Sequence, residues 1–168
     1  MNEATFRVDV TKEQFVFSAA HFITFAGDIC ESLHGHNYRV KCEVRGPLDE
    51  NHYVVDFIAL RDRLLEIVKR LDHRVLLPTR HSMITVAEQE SEVEVRFQNR
   101  RWLFPTDNCM LMPIANTTAE LIAAYIADEL MAIEDPRLGE SIEALMVAVD
   151  ENEGQWGCFE TTWPWKRT

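Results

Sequence analysis

The chain has 168 residues, 46% of them hydrophobic, which suits one domain with a hydrophobic core. A net charge of −11 argues against nucleic acid or an anionic membrane surface as a partner. No apolar run approaches the roughly 20 residues of a membrane span, and the N-terminal MNEATFRVDV lacks a signal-peptide pattern. The four cysteines form no CxxC pair, so we expect one domain over residues 1–168 in a reducing cytoplasm.

Alternating hydrophobic residues predict strands in the first third of the chain. Residues 5–10 and 13–22 are predicted as two strands, and in the second of these His21 shares a face with Phe17. Residues 36–45 alternate regularly between apolar and polar side chains. This pattern indicates a strand with one buried and one exposed face, as antiparallel sheets provide.

Two helices are predicted from other patterns. Apolar residues recur at helical spacing over residues 57–71, which indicates an amphipathic helix. An Ala-rich segment predicts a second helix over residues 118–133. Thr117 and Glu120 stand at capping-box spacing at its start, so we expect Thr117 to cap it.

The remaining strands are predicted in pairs. Residues 92–97 and 102–104 flank QNRR and suggest a hairpin, and residues 143–150 and 155–160 should be the last two strands. Paired strands together with two helices indicate an α+β domain, with an antiparallel sheet and both helices on one face.

Three histidines fall on apolar strand faces. His34 and His36 are two residues apart at the entry to a strand, so both point to its apolar side, and His21 lies on the apolar face of its own strand. A buried imidazole needs a hydrogen bond or a metal ion. Three neutral imidazoles without a fourth protein ligand would form an open zinc site suited to catalysis. The alternative is three histidines satisfied by hydrogen bonds.

Groups that could move protons lie close by in the sequence. Cys30 precedes His34 by four residues, and a thiol near a metal site can become a thiolate that acts as nucleophile or base. The alternative is a buried free cysteine. Asp72 and His73 follow the first predicted helix, where a carboxylate can orient an imidazole for acid–base chemistry. Alternatively, His73 is simply favoured at a helix C-terminus.

Together these residues resemble the 6-pyruvoyltetrahydropterin synthase and 6-carboxytetrahydropterin synthase family. The matching segments are FSAAH (17–21), CESLHGHNY (30–38), VVDF (54–57), LDH (71–73), TAELIA (118–123) and VDE (149–151). They follow the family's order over most of the chain. The combination of CxxxHGHNY with LDH is much more specific than either motif alone.

The resemblance implies a fold and a metal. The fold is the tunnelling fold, a four-stranded antiparallel sheet with two helices on one face, commonly assembled into a homohexamer around a barrel. The metal is Zn²⁺, bound by His21, His34 and His36.

The resemblance also implies roles for five further residues. Cys30 is the general base, and Asp72 and His73 are the proton-handling pair. Glu151 binds the guanidine-like edge of the pterin, because a carboxylate can face two parallel N–H donors, and the backbone near Thr118 assists. The alternative for Glu151 is a solvated residue at the end of a strand.

Two features depart from the common family pattern. About thirty residues, roughly 79–112, contain no family motif and include the predicted hairpin, so we treat them as an insertion used for packing or oligomer contacts. The second feature is Glu31, which forms Glu-x-x-His-Gly-His. Family members with that motif cleave the side chain to 6-hydroxymethyl-dihydropterin for folate synthesis. The chain therefore combines Cys30 and Glu31 in one motif.

The implied activity is that of a zinc-dependent lyase acting on the side chain of 7,8-dihydroneopterin triphosphate. The expected product is 6-carboxytetrahydropterin, on the pathway to queuosine. One alternative is aldolase-like cleavage to 6-hydroxymethyl-dihydropterin, and another is a non-catalytic homologue that binds zinc or pterin. The expected partners are a reduced pterin and further copies of the chain, without nucleic acid or membrane.

Overall fold

The computed structural model describes residues 5–132, 135–138 and 142–163. Its strands are β1 (Phe6–His21), β2 (Thr24–Phe25), β3 (Ile29–Cys30), β4 (His34–Gly46), β5 (Arg74–Pro78), β6 (Ile84–Glu88), β7 (Glu92–Phe97), β8 (Arg100–Pro105), β9 (Cys109–Met112), β10 (Ala144–Asn152) and β11 (Gln155–Thr162). The α-helices are α1 (Phe57–Leu71) and α2 (Ala119–Met131). Within these ranges no helix combines the length and the apolarity needed to cross a membrane.

The main sheet has six strands in the order β11-β10-β4-β1-β5-β9. The first four are antiparallel neighbours, whereas β5 runs parallel to β1 and β9 runs parallel to β5. The prediction of a four-stranded antiparallel sheet is therefore wrong in strand number and in strand direction. The added strands RVLLP and CMLM are short apolar runs without alternation, which periodicity cannot distinguish from other buried segments.

The two strands predicted at the N-terminus form one strand, β1. Its register against β4 shifts between Thr11 and Val16. The buried side chains change accordingly from even-numbered Val10 to odd-numbered Phe15 and Phe17. An irregularity of this kind reverses which alternate residues face the core, and it places His21 on the buried side of the sheet.

Both helices cover one face of the sheet over a shared core, as predicted. The predicted bounds of α1 are confirmed, and Asp56 caps it by accepting hydrogen bonds from the amides of Ile58 and Ala59. The predicted cap of α2 is wrong, because Thr118 rather than Thr117 accepts from the amide of Leu121. Thr117 is fully buried, and its hydroxyl donates instead to the carbonyl of Phe22. A buried hydroxyl requires a hydrogen-bond partner. Because Phe22 is that partner for Thr117, the next residue, Thr118, caps the helix.

The segment treated as an insertion forms a second, antiparallel sheet in the order β6-β7-β8. The β7–β8 hairpin is confirmed, and Gln98 and Asn99 form its two-residue turn, with Gln98 at φ 51°. Strand β6 was not predicted. The sheet packs on a second apolar cluster made of Phe22, Cys30, Leu77, Ile84, Val93, Val95 and Phe97. It therefore covers the part of the chain that carries Cys30.

Candidate metal centre

The β1–β4 ladder brings the three histidines together. His21 pairs with His34, and Ala19 pairs with His36. The ring centroid of His21 lies 4.7 Å from that of His34 and 5.3 Å from that of His36. Opposed residues of antiparallel strands, and alternate residues along one strand, face the same side. The sequence pattern on β1 and β4 therefore positions all three rings.

Glu151 on β10 joins the histidines. The ligand atoms of His21, His34, His36 and Glu151 all lie within 4.8 Å of one another, so this group could hold a metal ion. Glu151 Oε1 is 2.9 Å from His21 Nε2 and 3.3 Å from His36 Nε2. The family resemblance assigns Glu151 to the substrate, and its contact with the imidazoles is a finding of the structure.

Backbone carbonyls orient two of the imidazoles so that Nε2 can bind a metal ion. His21 Nδ1 lies 2.9 Å from the carbonyl oxygen of Thr117, and His34 Nδ1 lies 2.8 Å from that of Ser32. A carbonyl accepts only from a protonated Nδ1, so in the neutral rings each Nε2 has a free lone pair. Burial lowers the pKa of His36, which also favours its neutral form.

The donor set fits zinc. Nε2 of His21 and Nε2 of His36 are buried and have no hydrogen-bond partner among the residues that the structure describes. Buried polar atoms of this kind are costly unless something else binds them. Three neutral imidazole nitrogens, with a carboxylate oxygen nearby, are the ligand types that catalytic zinc sites use. The residues present therefore fit a zinc ion.

The two candidate bases lie in different surroundings. Cys30 is 6% exposed and belongs to the second apolar cluster. Burial raises the pKa of its thiol, and the Arg100 guanidinium beside it opposes that rise. Glu31 is half-buried, and its Oε2 lies 3.9 Å from His34 Nε2. Adjacent residues of an extended segment point to opposite sides, so Glu31 faces the histidines while Cys30 faces apolar side chains.

The Asp72–His73 pair lies outside the group that could hold a metal. Asp72 Oδ1 accepts a hydrogen bond from the Ser18 amide at 2.8 Å, and Asp72 Oδ2 is 3.6 Å from His73 Nε2. The His73 side chain is 82% exposed. Ser18 is an odd number of residues from His21 along β1, so it faces the opposite side of the sheet. Within one chain, the predicted proton-handling pair therefore stands apart from the three histidines.

Thr118 lies next to the metal-binding group in the chain, because the preceding residue, Thr117, contacts His21. The Thr118 side chain caps α2, and the carbonyl of the preceding Thr117 binds His21 Nδ1. The start of α2 is thus tied to the imidazole cluster. This position is compatible with the expected role of the backbone near Thr118 in holding substrate, which stays a prediction.

Tyr38 is a further residue of the site, which the sequence motifs did not predict. Its ring centroid is 5.7 Å from that of His21 and 5.6 Å from that of His36, and its buried hydroxyl has no hydrogen-bond partner within the described ranges. Burial raises the pKa of Tyr38, so the hydroxyl stays protonated and can donate. The alternation of residues 36–45 places Tyr38 on the same face as His36, and this pattern is the sequence feature from which Tyr38 could have been predicted as a site residue.

Known pterin enzymes are similar to this chain in sequence. A Methanocaldococcus jannaschii protein, provisionally named a 6-carboxy-5,6,7,8-tetrahydropterin synthase, is 32% identical over 145 residues, or 85% of this chain and 88% of that protein. A Pyrococcus furiosus dihydroneopterin monophosphate aldolase is 38% identical over 60 residues, or 36% of this chain and 50% of that protein.

A solved structure is similar over nearly the whole chain. It is a Plasmodium vivax 6-pyruvoyltetrahydropterin synthase in which a catalytic glutamate is replaced by alanine. The two proteins are 29% identical, the TM-score is 0.87, and the match covers 95% of this chain and 99% of the other. The model of the 6-pyruvoyl tetrahydropterin synthase family matches residues 9–162. The chain therefore belongs to the 6-pyruvoyl tetrahydropterin synthase family.

Proposed function

We propose that the protein is a zinc-dependent lyase that converts the side chain of 7,8-dihydroneopterin triphosphate to give 6-carboxytetrahydropterin, the product used in queuosine biosynthesis. The observation that carries this proposal is the convergence of three imidazoles, two of which have a buried Nε2 atom without a hydrogen-bond partner in the described part of the chain. Family membership indicates a lyase-type enzyme that acts on pterins. The name of the Methanocaldococcus jannaschii relative supports the carboxylated product.

In the proposed reaction, a zinc ion and two bases, Cys30 and Glu31, would have separate roles. A bound zinc ion would supply Lewis acidity toward the side-chain hydroxyls of the pterin. Cys30, as a thiolate, is the stronger base and suits removal of a C–H proton. Glu31 is the weaker base and suits removal of a proton from an acidified hydroxyl, which starts cleavage of the C1′–C2′ bond.

Glu151 is assigned to the pterin ring. An ionised carboxylate can accept from the two parallel N–H donors of the pterin's guanidine-like edge. The same carboxylate is close enough to the imidazoles to reach a metal ion. The two roles predict different losses when Glu151 is replaced. A pterin-binding role predicts weaker pterin binding, whereas a metal-binding role predicts lost zinc.

The exposed position of His73 supports an active site that is shared between two chains. Its side chain is 82% exposed and does not belong to the metal group of its own chain. We therefore infer that a neighbouring copy, in a homohexamer by family resemblance, presents Asp72 and His73 to each site.

Mixed oligomers test this inference. Glu31→Ala and His73→Ala should each reduce activity, and oligomers that contain both variants should recover part of it, because some sites then combine intact residues from two chains. Mixing would be verified by native mass spectrometry. If verified mixed oligomers stay as inactive as the separate variants, the two residues act within the same chain.

A second activity is favoured by the position of Glu31. Its carboxylate faces His34, whereas the thiol of Cys30 is enclosed among apolar side chains. In the similar Plasmodium vivax structure the residue that was replaced is a catalytic glutamate, and the partial Pyrococcus furiosus match is to an aldolase. Glu31 would therefore support aldolase-like cleavage to 6-hydroxymethyl-dihydropterin, in addition to or in place of the first reaction.

The deciding experiment is incubation of zinc-loaded protein with 7,8-dihydroneopterin triphosphate and identification of the products by mass. A mass matching 6-carboxytetrahydropterin supports the first activity, and one matching 6-hydroxymethyl-dihydropterin supports the second. Chelated protein and the His36→Ala variant are the controls, and both should be inactive. If zinc-loaded protein binds pterin but converts neither this substrate nor its dephosphorylated form, the chain is a non-catalytic binding homologue.

A further inference from the structure

The segment that carries both candidate bases is held by the tip of the β7–β8 hairpin. We call residues 28–31 the base segment. Gln98 Nε2 donates to the carbonyl of Asp28 at 3.4 Å. Arg100 Nη1 donates to the carbonyl of Cys30 at 2.9 Å and to that of Glu31 at 3.1 Å. One guanidinium nitrogen therefore bridges the backbone of the two residues whose side chains are proposed to remove protons.

The base segment has little regular structure of its own. Strand β3 has two residues and pairs with a two-residue β2, and the Glu31 amide donates to the carbonyl of Ile23 at 3.0 Å. The connection between the two strands turns through Ala26 at φ 49° and Gly27 at φ 88°. A ladder this short is marginally stable by itself. Contacts from outside the segment must therefore contribute to its conformation.

The hairpin tip can provide this support because it is anchored. Phe97 is 3% exposed and packs in the same apolar cluster as Cys30. Phe97 also pairs with Arg100 across the two-residue turn of the hairpin. The base segment thus contacts the hairpin in two ways, through apolar packing at Phe97 and through hydrogen bonds at Arg100.

We propose that Arg100 is a positioning residue, whose guanidinium holds the Cys30 and Glu31 carbonyls and so fixes the position at which the Glu31 carboxylate faces His34. Hydrogen bonds from a charged donor are stronger than neutral ones, and the planar guanidinium suits two adjacent acceptors better than a compact ammonium. The consequence for catalysis rests on the proposed function, whereas the effect on the base segment does not. The second sheet thereby contributes to the active site without touching the metal.

Amide hydrogen exchange tests the structural part. In zinc-loaded protein, Arg100→Gln should speed exchange of the Cys30 and Glu31 amides by about tenfold. The matched control is Arg101→Gln, which removes the same charge one residue along β8, where the guanidinium binds Glu94 instead. The control should leave exchange in the base segment unchanged. If Arg100→Gln leaves exchange unchanged, or if Arg101→Gln speeds it equally, Arg100 does not hold the segment.

Steady-state kinetics test the catalytic part. Arg100→Gln should lower kcat by about tenfold while KM stays within about twofold, because the Glu31 carboxylate is misplaced while pterin binding is retained. Arg100→Lys should recover part of kcat, and Arg101→Gln should match the wild type. A rise in KM with unchanged kcat would show that Arg100 binds substrate, which overturns the proposal. If the wild type converts no pterin, the proposed function fails, and the exchange measurement alone decides the role of Arg100.

Discussion

His21 and His34 face each other across the β1–β4 ladder with their ring centroids 4.7 Å apart, and the Nδ1 of each ring is bound to a backbone carbonyl. The two carbonyls come from different places, Thr117 before α2 and Ser32 before β4. Each ring is therefore oriented by the backbone independently of the other. Removing one imidazole should leave the remaining two in place.

Replacing His36 should remove the metal and leave the fold. The zinc content of His36→Ala should fall from about one ion per chain to a small fraction, because two imidazoles hold zinc poorly. The variant should keep a circular dichroism spectrum close to that of the wild type. His73→Ala is the matched control and should keep its zinc, because its side chain is exposed outside the cluster. Unchanged zinc in His36→Ala would show that the ligand assignment is wrong.

Replacing Glu151 should weaken pterin binding and spare the zinc. Removing the charged acceptor of buried N–H donors costs about 2–5 kcal/mol of binding free energy. This loss corresponds to a roughly 30- to several-thousand-fold weaker affinity. Pterin affinity and zinc content of Glu151→Ala would be measured together, with the exposed Glu153→Ala as the control. The reverse outcome, lost zinc with unchanged pterin affinity, would make Glu151 a metal ligand.

Replacing each base should change the products differently. Cys30→Ala should abolish 6-carboxytetrahydropterin and spare some 6-hydroxymethyl-dihydropterin, and Glu31→Ala should do the reverse. The reason is that the thiol and the carboxylate have unperturbed pKa values of about 8.5 and 4.3 and suit different protons. Products would be quantified by mass spectrometry. If Glu31→Ala leaves every product unchanged, Glu31 is a solvated neighbour of His34 and has no part in the chemistry.

Zinc binding should persist into mildly acidic solution. Protons compete with zinc for imidazole nitrogen, and burial lowers the pKa of His36 below the ordinary histidine value of about 6.5. Protonation of His36 therefore begins only at lower pH, and zinc should remain bound near pH 6.5 and be released as the pH falls further. Zinc content after dialysis across this range measures the effect. Release that begins above about pH 7 would contradict the prediction.

Adding a methyl group at Gly157 should destabilise the fold. A Cβ there would lie 2.6 Å from the Glu120 amide nitrogen and 2.7 Å from the Ala119 carbonyl carbon, which are backbone atoms of α2 that cannot move independently. Gly157→Ala should lower the free energy of unfolding by about 1–3 kcal/mol. Urea denaturation gives the value, with Cys158→Ala, an exposed position beside it, as the control. Equal stability of Gly157→Ala and the wild type would show that β11 and α2 can separate at little cost.

The helices and the histidine pattern could be predicted from the sequence because both depend on local periodicity. The apolar spacing of residues 57–71 predicted the exact bounds of α1. The two-residue spacing of His34 and His36 placed both rings on one face of β4, and His21 lay on the matching face of β1. The family resemblance rested on the same short motifs, and the family match over residues 9–162 confirms it.

The partners of these residues depended on the tertiary structure. Glu151 reaches the imidazoles because β10 lies beside β4 in the sheet, an order that alternation does not encode. Arg100 contacts the Cys30 carbonyl across 70 residues of chain, and Glu31 turns toward His34 while Cys30 turns away. The sequence by itself determined which side chains share a face of one element. Only the packing of strands far apart in the chain decided which faces meet, because contacts of that range depend on strand order and on the entropy of closing long loops.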